Sequence, residues 1–159
     1  KIMINLHLIC DTNHWPARLK KIRFLIQNVL KLEKDLYFKK KINYDCNLIL
    51  TNDKLIKKMN NKFRKKNKTT DVLTFISETR FDKINKTKIC DIFFSAETIK
   101  KDAKKNGLNF YNHFTHLIIH SFLHINGFVH NSLDDFKKMK KIEIKILKKI
   151  GIFNPYEKN

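Results

Sequence analysis

Glycine is scarce in this sequence: only 3 of 159 residues are glycine, and Gly107, Gly127 and Gly151 stand far apart. Loops that bind the phosphates of nucleotides need closely spaced glycines, because backbone amides must approach the anion without a side chain between them. The sequence therefore excludes P-loop and dinucleotide-fingerprint enzymes, and we expect no nucleotide cofactor. Each glycine follows a predicted helix, where a left-handed residue is favoured.

Cysteine is also scarce. Cys10, Cys46 and Cys90 are odd in number and contain no C-x-x-C pair, which argues for a reducing compartment and against a disulfide framework or a cysteine-based zinc site. The apolar run at residues 1–10 is too short and too polar for a signal peptide, and no later stretch approaches a membrane span. We therefore expect a cytoplasmic enzyme or binding domain with no membrane partner.

Negative charge is sparse as well, with 15 acidic residues against 34 basic ones and a net charge of +19. A clustered cationic surface favours a polyanionic partner, because binding releases condensed counterions. All but four of the basic residues are lysine, however, in a chain rich in Asn, Ile and Phe, and the codons of these residues are A/T-rich. The charge is compatible with RNA as a partner without being diagnostic of it.

Strand-like and helical patterns alternate along the chain. Four β-rich runs cover residues 2–9, 43–51, 71–76 and 89–94, and five helical stretches begin near Pro16, Asn52, Ser95, Phe110 and Ser132. Residues 64–70 and 77–88 are predicted as a loop and as a hairpin or long loop. The pattern predicts an α/β fold with a small, mixed, mostly parallel sheet of about four strands and about five helices. The length fits a single domain over residues 1–159.

The last helix is predicted to serve chiefly as core and cover. Its apolar positions recur at helical spacing, and the residues expected to face inward are Phe136, Met139, Ile142, Ile146, Leu147 and Ile150.

The chemistry is concentrated in residues 116–130, which hold four of the 7 histidines. His120 and His124 lie one helical turn apart, so both rings project from one face of a helix. Gly127 is expected to end that helix and let His130 approach the same point. Three imidazoles with an open fourth position are typical of a catalytic zinc site, where the ion lowers the pKa of its bound water to about 7.

The residue after the first predicted ligand excludes one class of zinc enzyme, and the four other histidines need an interpretation of their own. A zinc protease of the H-E-x-x-H type needs Glu after the first ligand as its general base, and Ser121 occupies that position. His7, His14 and His113 lack ligand spacing and are interpreted as ordinary surface or core residues. His116, one turn before His120, is predicted to handle a proton or support a ligand, although a packed histidine is an equally open interpretation.

The block H-S-F-L-H-I-N-G-F-V-H occupies residues 120–130, and four further blocks with the character of sequence motifs lie at 59–64, 69–75, 90–95 and 151–156. Taken in chain order, these blocks resemble the motifs of the bacterial rRNA maturation RNase YbeY family, whose signature contains three histidines. The resemblance implies a zinc-dependent, single-strand-specific endoribonuclease in rRNA processing, notably at the small-subunit 3′ end, and in ribosome quality control. Single-stranded rRNA and the ribosomal small subunit are the implied partners.

By position, the resemblance assigns one zinc ion to His120, His124 and His130 and singles out Arg64 as a phosphate contact. The residues agree on the second point, because Arg64 is the one guanidinium in a lysine-rich segment and its planar fork suits a phosphate better than lysine does. The nucleophile is left open between an activated water and the neighbouring ribose 2′-OH.

Val129 departs from the family, which carries Asp directly before the last ligand. A carboxylate there would orient a ligand or accept a proton, and valine does neither. Three interpretations therefore stay open: the zinc-bound water is already basic enough, another acid such as Asp71 or Asp134 substitutes, or the activity is weakened. The alternative functions are a non-catalytic RNA-binding ribosome-assembly factor with a structural zinc and a metallohydrolase with another substrate.

Overall fold

The computed structural model describes residues 1–80 and 86–157. Its sheet has the strand order β1-β2-β4-β3, in which β1 and β4 run parallel to β2 and β3 runs antiparallel to β4. The four strands are β1 (Met3–Cys10), β2 (Ile42–Thr51), β3 (Val72–Arg80) and β4 (Lys86–Ser95). The predicted small, mixed, mostly parallel sheet is confirmed.

Strands β3 and β4 extend further than the sequence pattern indicated. Their antiparallel ladder runs from Val72 opposite Phe94 to Arg80 opposite Lys86, so residues 77–80 and 86–88 of the segment predicted as a hairpin or long loop belong to paired strands. The remaining part of that prediction, residues 81–85, lies outside the described residues.

Five α-helices accompany the sheet within the described residues. They are α1 (Leu19–Leu30), preceded by a 3-10 turn at Pro16–Arg18, α2 (Asp53–Arg64), α3 (Ala96–Lys105), α4 (Phe110–Ile125) and α5 (Leu133–Lys149). Asn52 caps α2 and Ser132 caps α5, as predicted, because their side chains accept hydrogen bonds from the amides of Leu55 and Asp135.

Arg64 belongs to α2 and not to the following loop, which corrects the predicted boundary by one residue. The residue that follows the helix and caps it, Lys65, has a φ of 57°, which lies in the left-handed region. A lysine in this conformation can end a helix as glycine does, although the sequence pattern does not mark it.

The chain divides into two compact units, the first formed by residues 1–19 and 39–102 and the second by residues 20–38 and 103 onward. In the first unit, alternate residues of β2 are buried, so one face of the strand contributes to the core. Trp15 is fully buried there and its indole N–H donates to the Thr51 carbonyl at 2.8 Å. The single domain over residues 1–159 stays a prediction.

In the second unit, the inward face of α5 differs from the prediction. Met139, Ile146 and Leu147 are buried as expected, but Phe136 is 42% exposed. A buried glutamate, Glu143, faces inward among the apolar residues instead. No helix in the described part of the chain is both long and apolar enough to cross a membrane.

Candidate metal centre

From His113 onward, helix α4 is buried except along one stripe of histidines. From His113 to Ile125, every residue is buried except His116, His120 and His124. Residues four apart lie one above the other on a helix, so the three rings share the single uncovered face of this segment. The apolar residues of α4 thus belong to the core, whereas the three histidines are only partly buried and can contact a ligand.

Gly127 ends α4 and turns the chain back toward that stripe. Its φ of 96° is left-handed, and the amide of Phe128 donates to the Leu123 carbonyl at 3.0 Å, in the manner of a glycine-terminated helix. The ring centroid of His130 then lies 5.4 Å from that of His120 and 4.8 Å from that of His124. The structure therefore brings together the three histidines that the spacing singled out.

Hydrogen bonds orient two of these rings. The Nδ1 atom of His120 lies 2.6 Å from Glu143 Oε1, and that of His124 lies 2.8 Å from the Phe128 carbonyl oxygen. A carbonyl and an ionised carboxylate only accept hydrogen bonds, so each Nδ1 carries the proton. In a neutral ring, Nε2 is then left with its lone pair free.

The two free nitrogens point at each other. His120 Nε2 and His124 Nε2 are 2.9 Å apart, and the ligand atoms of all three histidines, including His130, lie within 4.8 Å of one another. Two lone pairs that face each other without a proton between them repel, and a shared cation removes that repulsion. The donor set therefore fits a metal ion, and this group could hold one.

The protonation state of His124 agrees with this role. Burial, together with the nearby His120, lowers the pKa of His124 to about 4, although the hydrogen bond to the Phe128 carbonyl acts in the opposite direction. His124 is therefore neutral near pH 7, as a metal ligand must be.

Glu143 is the site residue that the sequence analysis missed. It is 1% exposed, and its two oxygens accept from different donors: Oε1 from His120 Nδ1, and Oε2 from His116 Nε2 at 2.6 Å and from the Tyr156 hydroxyl at 2.6 Å. Burial acts to raise the pKa of Glu143, but the hydrogen bonds from His116 and His120 outweigh it and hold the pKa at about 2. An acidic residue on the apolar face of α5 was the signal available in the sequence.

His116 and Tyr156 complete this buried cluster. Their rings meet edge to face with centroids 5.4 Å apart, and burial beside Glu143 raises the pKa of the Tyr156 hydroxyl. His116 does not join the group of three converging ligand atoms; its Nε2 is instead held by Glu143, the same carboxylate that orients His120.

Arg64 lies in the first compact unit, at the end of α2. Its Nη2 donates to the Thr74 carbonyl at 3.2 Å, and its guanidinium carbon lies 5.7 Å from the centroid of the Phe75 ring. Both partners belong to β3, so this strand orients an exposed guanidinium that keeps further N–H donors for a ligand.

Neither of the acids considered as substitutes at Val129, Asp71 and Asp134, belongs to the group formed by His120, His124 and His130. Val129 itself is 44% exposed, Asp134 is exposed in the first turn of α5, and Asp71 belongs to the first unit. The carboxylate that contacts a histidine of the triad is that of Glu143.

The remaining histidines lie outside the group formed by His120, His124 and His130. His7 lies 3.2 Å from Asp45 on the exposed surface of the sheet, His14 lies 3.6 Å from Glu97, and His113 is buried in α4. Their interpretation as ordinary residues stays a prediction.

Fold and site together define a class: an α/β protein with three histidines that could hold a metal ion. Comparison with known proteins then identifies the family. The sequence model described as endoribonuclease YbeY matches residues 9–151. An endoribonuclease YbeY from Pelagibacter ubique is 37% identical over 148 residues, which cover 92% of this chain and 95% of the relative. One from Ehrlichia ruminantium is 34% identical over 146 residues, covering 89% and 88%. This chain belongs to the endoribonuclease YbeY family.

The fold has a counterpart among solved structures. The solution structure of TM1509 from Thermotoga maritima matches 91% of this chain and 91% of its own, with a TM-score of 0.54 and 23% sequence identity. Family membership confirms the resemblance noted in the sequence and the prediction of an enzyme, a nuclease that acts on RNA.

Proposed function

We propose that this chain is a zinc-dependent, single-strand-specific endoribonuclease that matures the 3′ end of small-subunit rRNA and takes part in ribosome quality control in the cytoplasm. Residues 1–159 act in it as one domain. The observation that carries the metal is the pair of Nε2 atoms of His120 and His124, 2.9 Å apart, with both Nδ1 protons committed to oxygen. Family membership supports RNA as the substrate.

Zinc suits the donor set better than a harder cation. Imidazole is a preferred zinc ligand, and Zn–N distances of about 2.0–2.1 Å in a tetrahedral site separate two ligand nitrogens by roughly 3.3 Å. Small rotations of the two rings would open their 2.9 Å spacing to that value. His120, His124 and His130 then serve as the three protein ligands and leave a fourth position open, as in catalytic zinc sites.

When bound, the ion supplies an acidified water and polarises a phosphoryl oxygen. The chain's own residues supply orientation and charge. Arg64 is proposed to pair with non-bridging oxygens of an RNA phosphate, where negative charge increases as the phosphodiester is attacked. The Thr74 carbonyl and the Phe75 ring restrict its guanidinium, so less entropy is lost on binding. His116 is proposed as a supporting residue through its contact with Glu143.

The partners in this proposal are single-stranded rRNA and the ribosomal small subunit. The net charge of +19 supports attraction to RNA, and counterion release would make that affinity fall with salt.

The test compares wild type, His124→Ala and His7→Ala. His7 is an exposed histidine outside the cluster, so its substitution controls for the loss of an imidazole. Zinc content is measured by mass spectrometry, and cleavage is measured on an rRNA 3′ segment offered single-stranded or paired with its complement. We expect wild type and His7→Ala to hold zinc and cut only the single strand. His124→Ala should lose the ion and roughly 100-fold or more of the rate, since metal-ion stabilisation supplies several kcal/mol.

One observation favours the alternative of a non-catalytic RNA-binding assembly factor with a structural zinc, namely Val129 in the place of an acidic residue. If wild type holds zinc and His124→Ala loses it, while neither cuts RNA above background, the enzymatic proposal is wrong and the binding function stands. If wild type takes up no zinc, the metal assignment is wrong as well.

A further inference from the structure

We propose that Glu143, itself held by Tyr156, is a positioning residue that fixes the tautomer and ring orientation of His120 so that Nε2 faces the metal ion. This inference rests on the proposed function, because it concerns the same site. It assigns a role to a helix, α5, that the sequence analysis interpreted as core and cover.

The first argument is the chemistry of the contact. The Glu143 carboxylate is 1% exposed, so water does not compete for its oxygens. Oε1 lies 2.6 Å from His120 Nδ1, and a carboxylate can only accept, so Nδ1 must donate. The proton is thereby kept away from Nε2, and the plane of the ring is restricted by a charge-assisted hydrogen bond.

The second argument is that the carboxylate cannot swing away. Its other oxygen, Oε2, accepts from the Tyr156 hydroxyl and from His116 Nε2, each at 2.6 Å. All three donors must be given up for Glu143 to leave His120. Such carboxylates behind metal-binding histidines tune both ligand basicity and affinity.

The third argument links the C-terminal segment to the site. Tyr156 follows a turn in which its own amide donates to Asn154 Oδ1 at 2.9 Å, so the position of the ring is defined locally. Its hydroxyl then reaches Glu143. Tyr156 therefore holds Glu143, and Glu143 in turn orients His120. In this way a segment that contributes no metal ligand of its own supports the metal site.

His124 provides an internal contrast. Its Nδ1 donates to the backbone carbonyl of Phe128, a partner that comes with the end of α4 and is insensitive to side-chain substitution. Of these two rings, loss of Glu143 should therefore disturb His120 and leave His124 unchanged. A change at His120 without a change at His124 would indicate a positioning role for Glu143, whereas changes at both rings would indicate a general loss of structure.

The experiment uses full-length protein as Glu143→Ala, Glu143→Gln and Tyr156→Phe, with Met139→Ala as the matched control. Met139 is buried on α5 one turn before Glu143, and its truncation leaves a cavity while removing none of the hydrogen bonds to His116, His120 or His124 described above. Zinc affinity is measured by competition with a chromophoric chelator. The tautomers of His120 and His124 in the metal-free protein are read from the nitrogen chemical shifts of their rings.

We expect zinc affinity to fall by about 10–100-fold in Glu143→Ala, less in Glu143→Gln, whose amide oxygen can still accept from Nδ1, and least in Tyr156→Phe. His120 should become a mixture of tautomers in Glu143→Ala, whereas His124 keeps its proton on Nδ1. Met139→Ala should unfold more readily but bind zinc as wild type does. If Glu143→Ala does not fold, Glu143→Gln and Tyr156→Phe carry the test.

Two outcomes would overturn the inference while leaving the proposed function intact. In the first, wild type binds zinc through its histidines and the Glu143 and Tyr156 variants bind it equally well. In the second, Met139→Ala weakens zinc binding as much as Glu143→Ala does, so that the effect is only structural. A wild-type protein that takes up no zinc would instead contradict the proposed function itself.

Discussion

Asp53 in the first compact unit and Glu143 in the second both accept three side-chain hydrogen bonds, but the donors differ in kind. Asp53 Oδ1 accepts from the hydroxyls of Ser95 and Thr98 at 2.5 Å and from that of Thr69 at 2.9 Å. None of the residues that carry these hydroxyls belongs to the group of three histidines. The carboxylate ties the first turn of α2 to the first turn of α3, so its role is structural.

The donors to Glu143 are two imidazoles and a phenol. One of these imidazoles, His120, has a second nitrogen that faces two other histidines. In each unit, therefore, a carboxylate accepts three side-chain hydrogen bonds. In the first unit these bonds stabilise a helix junction, and in the second they orient a candidate metal ligand. The two carboxylates thus differ in the identity of their donors, and the donors to Glu143 are what connect it to the candidate metal centre.

The largest expected effect concerns Arg64, the residue through which the first unit is proposed to contribute to RNA cleavage. If that unit supplies a phosphate contact and no metal ligand, Arg64→Ala should lower kcat/KM for RNA cleavage by roughly 100-fold, because a donor to the developing charge is lost. Its zinc content should stay at the wild-type level.

Arg64→Lys should recover only part of this loss, since lysine cannot form the paired hydrogen bonds. Arg23→Ala, at an exposed position in α1, is the matched control and should cut RNA normally. Loss of zinc from Arg64→Ala would contradict the assignment of a phosphate contact, and no metal ligand, to the first unit.

A smaller effect is expected at Asp53, and it should concern stability alone. Burial acts to raise the pKa of Asp53, but hydrogen bonds from Ser95, Thr98 and Thr69 outweigh it, so the pKa lies below its usual value. The contribution to stability is therefore present above the unfolded-state pKa near 3.9 and is lost as the pH falls through the lower folded-state value.

Asp53→Asn should lower the free energy of unfolding by about 1–3 kcal/mol at pH 7 and by less at about pH 2. Urea denaturation at both pH values measures the difference. Zinc affinity should be unchanged, in contrast to the Glu143 variants. A change in affinity in Asp53→Asn would mean that the two carboxylates do not differ as argued.

The smallest effect is expected at the helix ends, where Gly127 and Gly107 share a left-handed backbone. Neither position has an atom within 4 Å of an added Cβ, so Gly127→Ala and Gly107→Ala should each cost about 1 kcal/mol through backbone strain alone. Only Gly127 precedes a predicted ligand, His130, so only Gly127→Ala should weaken zinc binding, by a few-fold. Thermal denaturation and chelator competition measure the two effects, and equal zinc affinities in the two variants would contradict this account of Gly127.

Local patterns were sufficient to predict the histidine site, because its elements lie within residues 120–130 and depend on helical spacing and one glycine. Glu143 could not be found in this way. It meets His120 and His116 across 23 and 27 residues of sequence, and one sequence does not show which faces of two helices meet. The exposed Phe136 was wrongly placed inward for the same reason.

The sheet shows a similar division between local and non-local information. The β-rich runs marked the four strands, but β3 and β4 extend through polar residues that pair with each other in the antiparallel ladder. The order β1-β2-β4-β3 likewise depends on tertiary pairing that no local signal carries.

The central claim is that His120, His124 and His130 hold one zinc ion whose ligand geometry the second unit prepares in advance. It is tested most directly by anomalous diffraction at the zinc edge on crystals of the zinc-loaded protein. We predict a single peak about 2.0–2.1 Å from His120 Nε2, His124 Nε2 and a ring nitrogen of His130, with Glu143 still bonded to His120 Nδ1. A zinc peak away from these three rings, or a fourth protein ligand closing the site, would contradict the account.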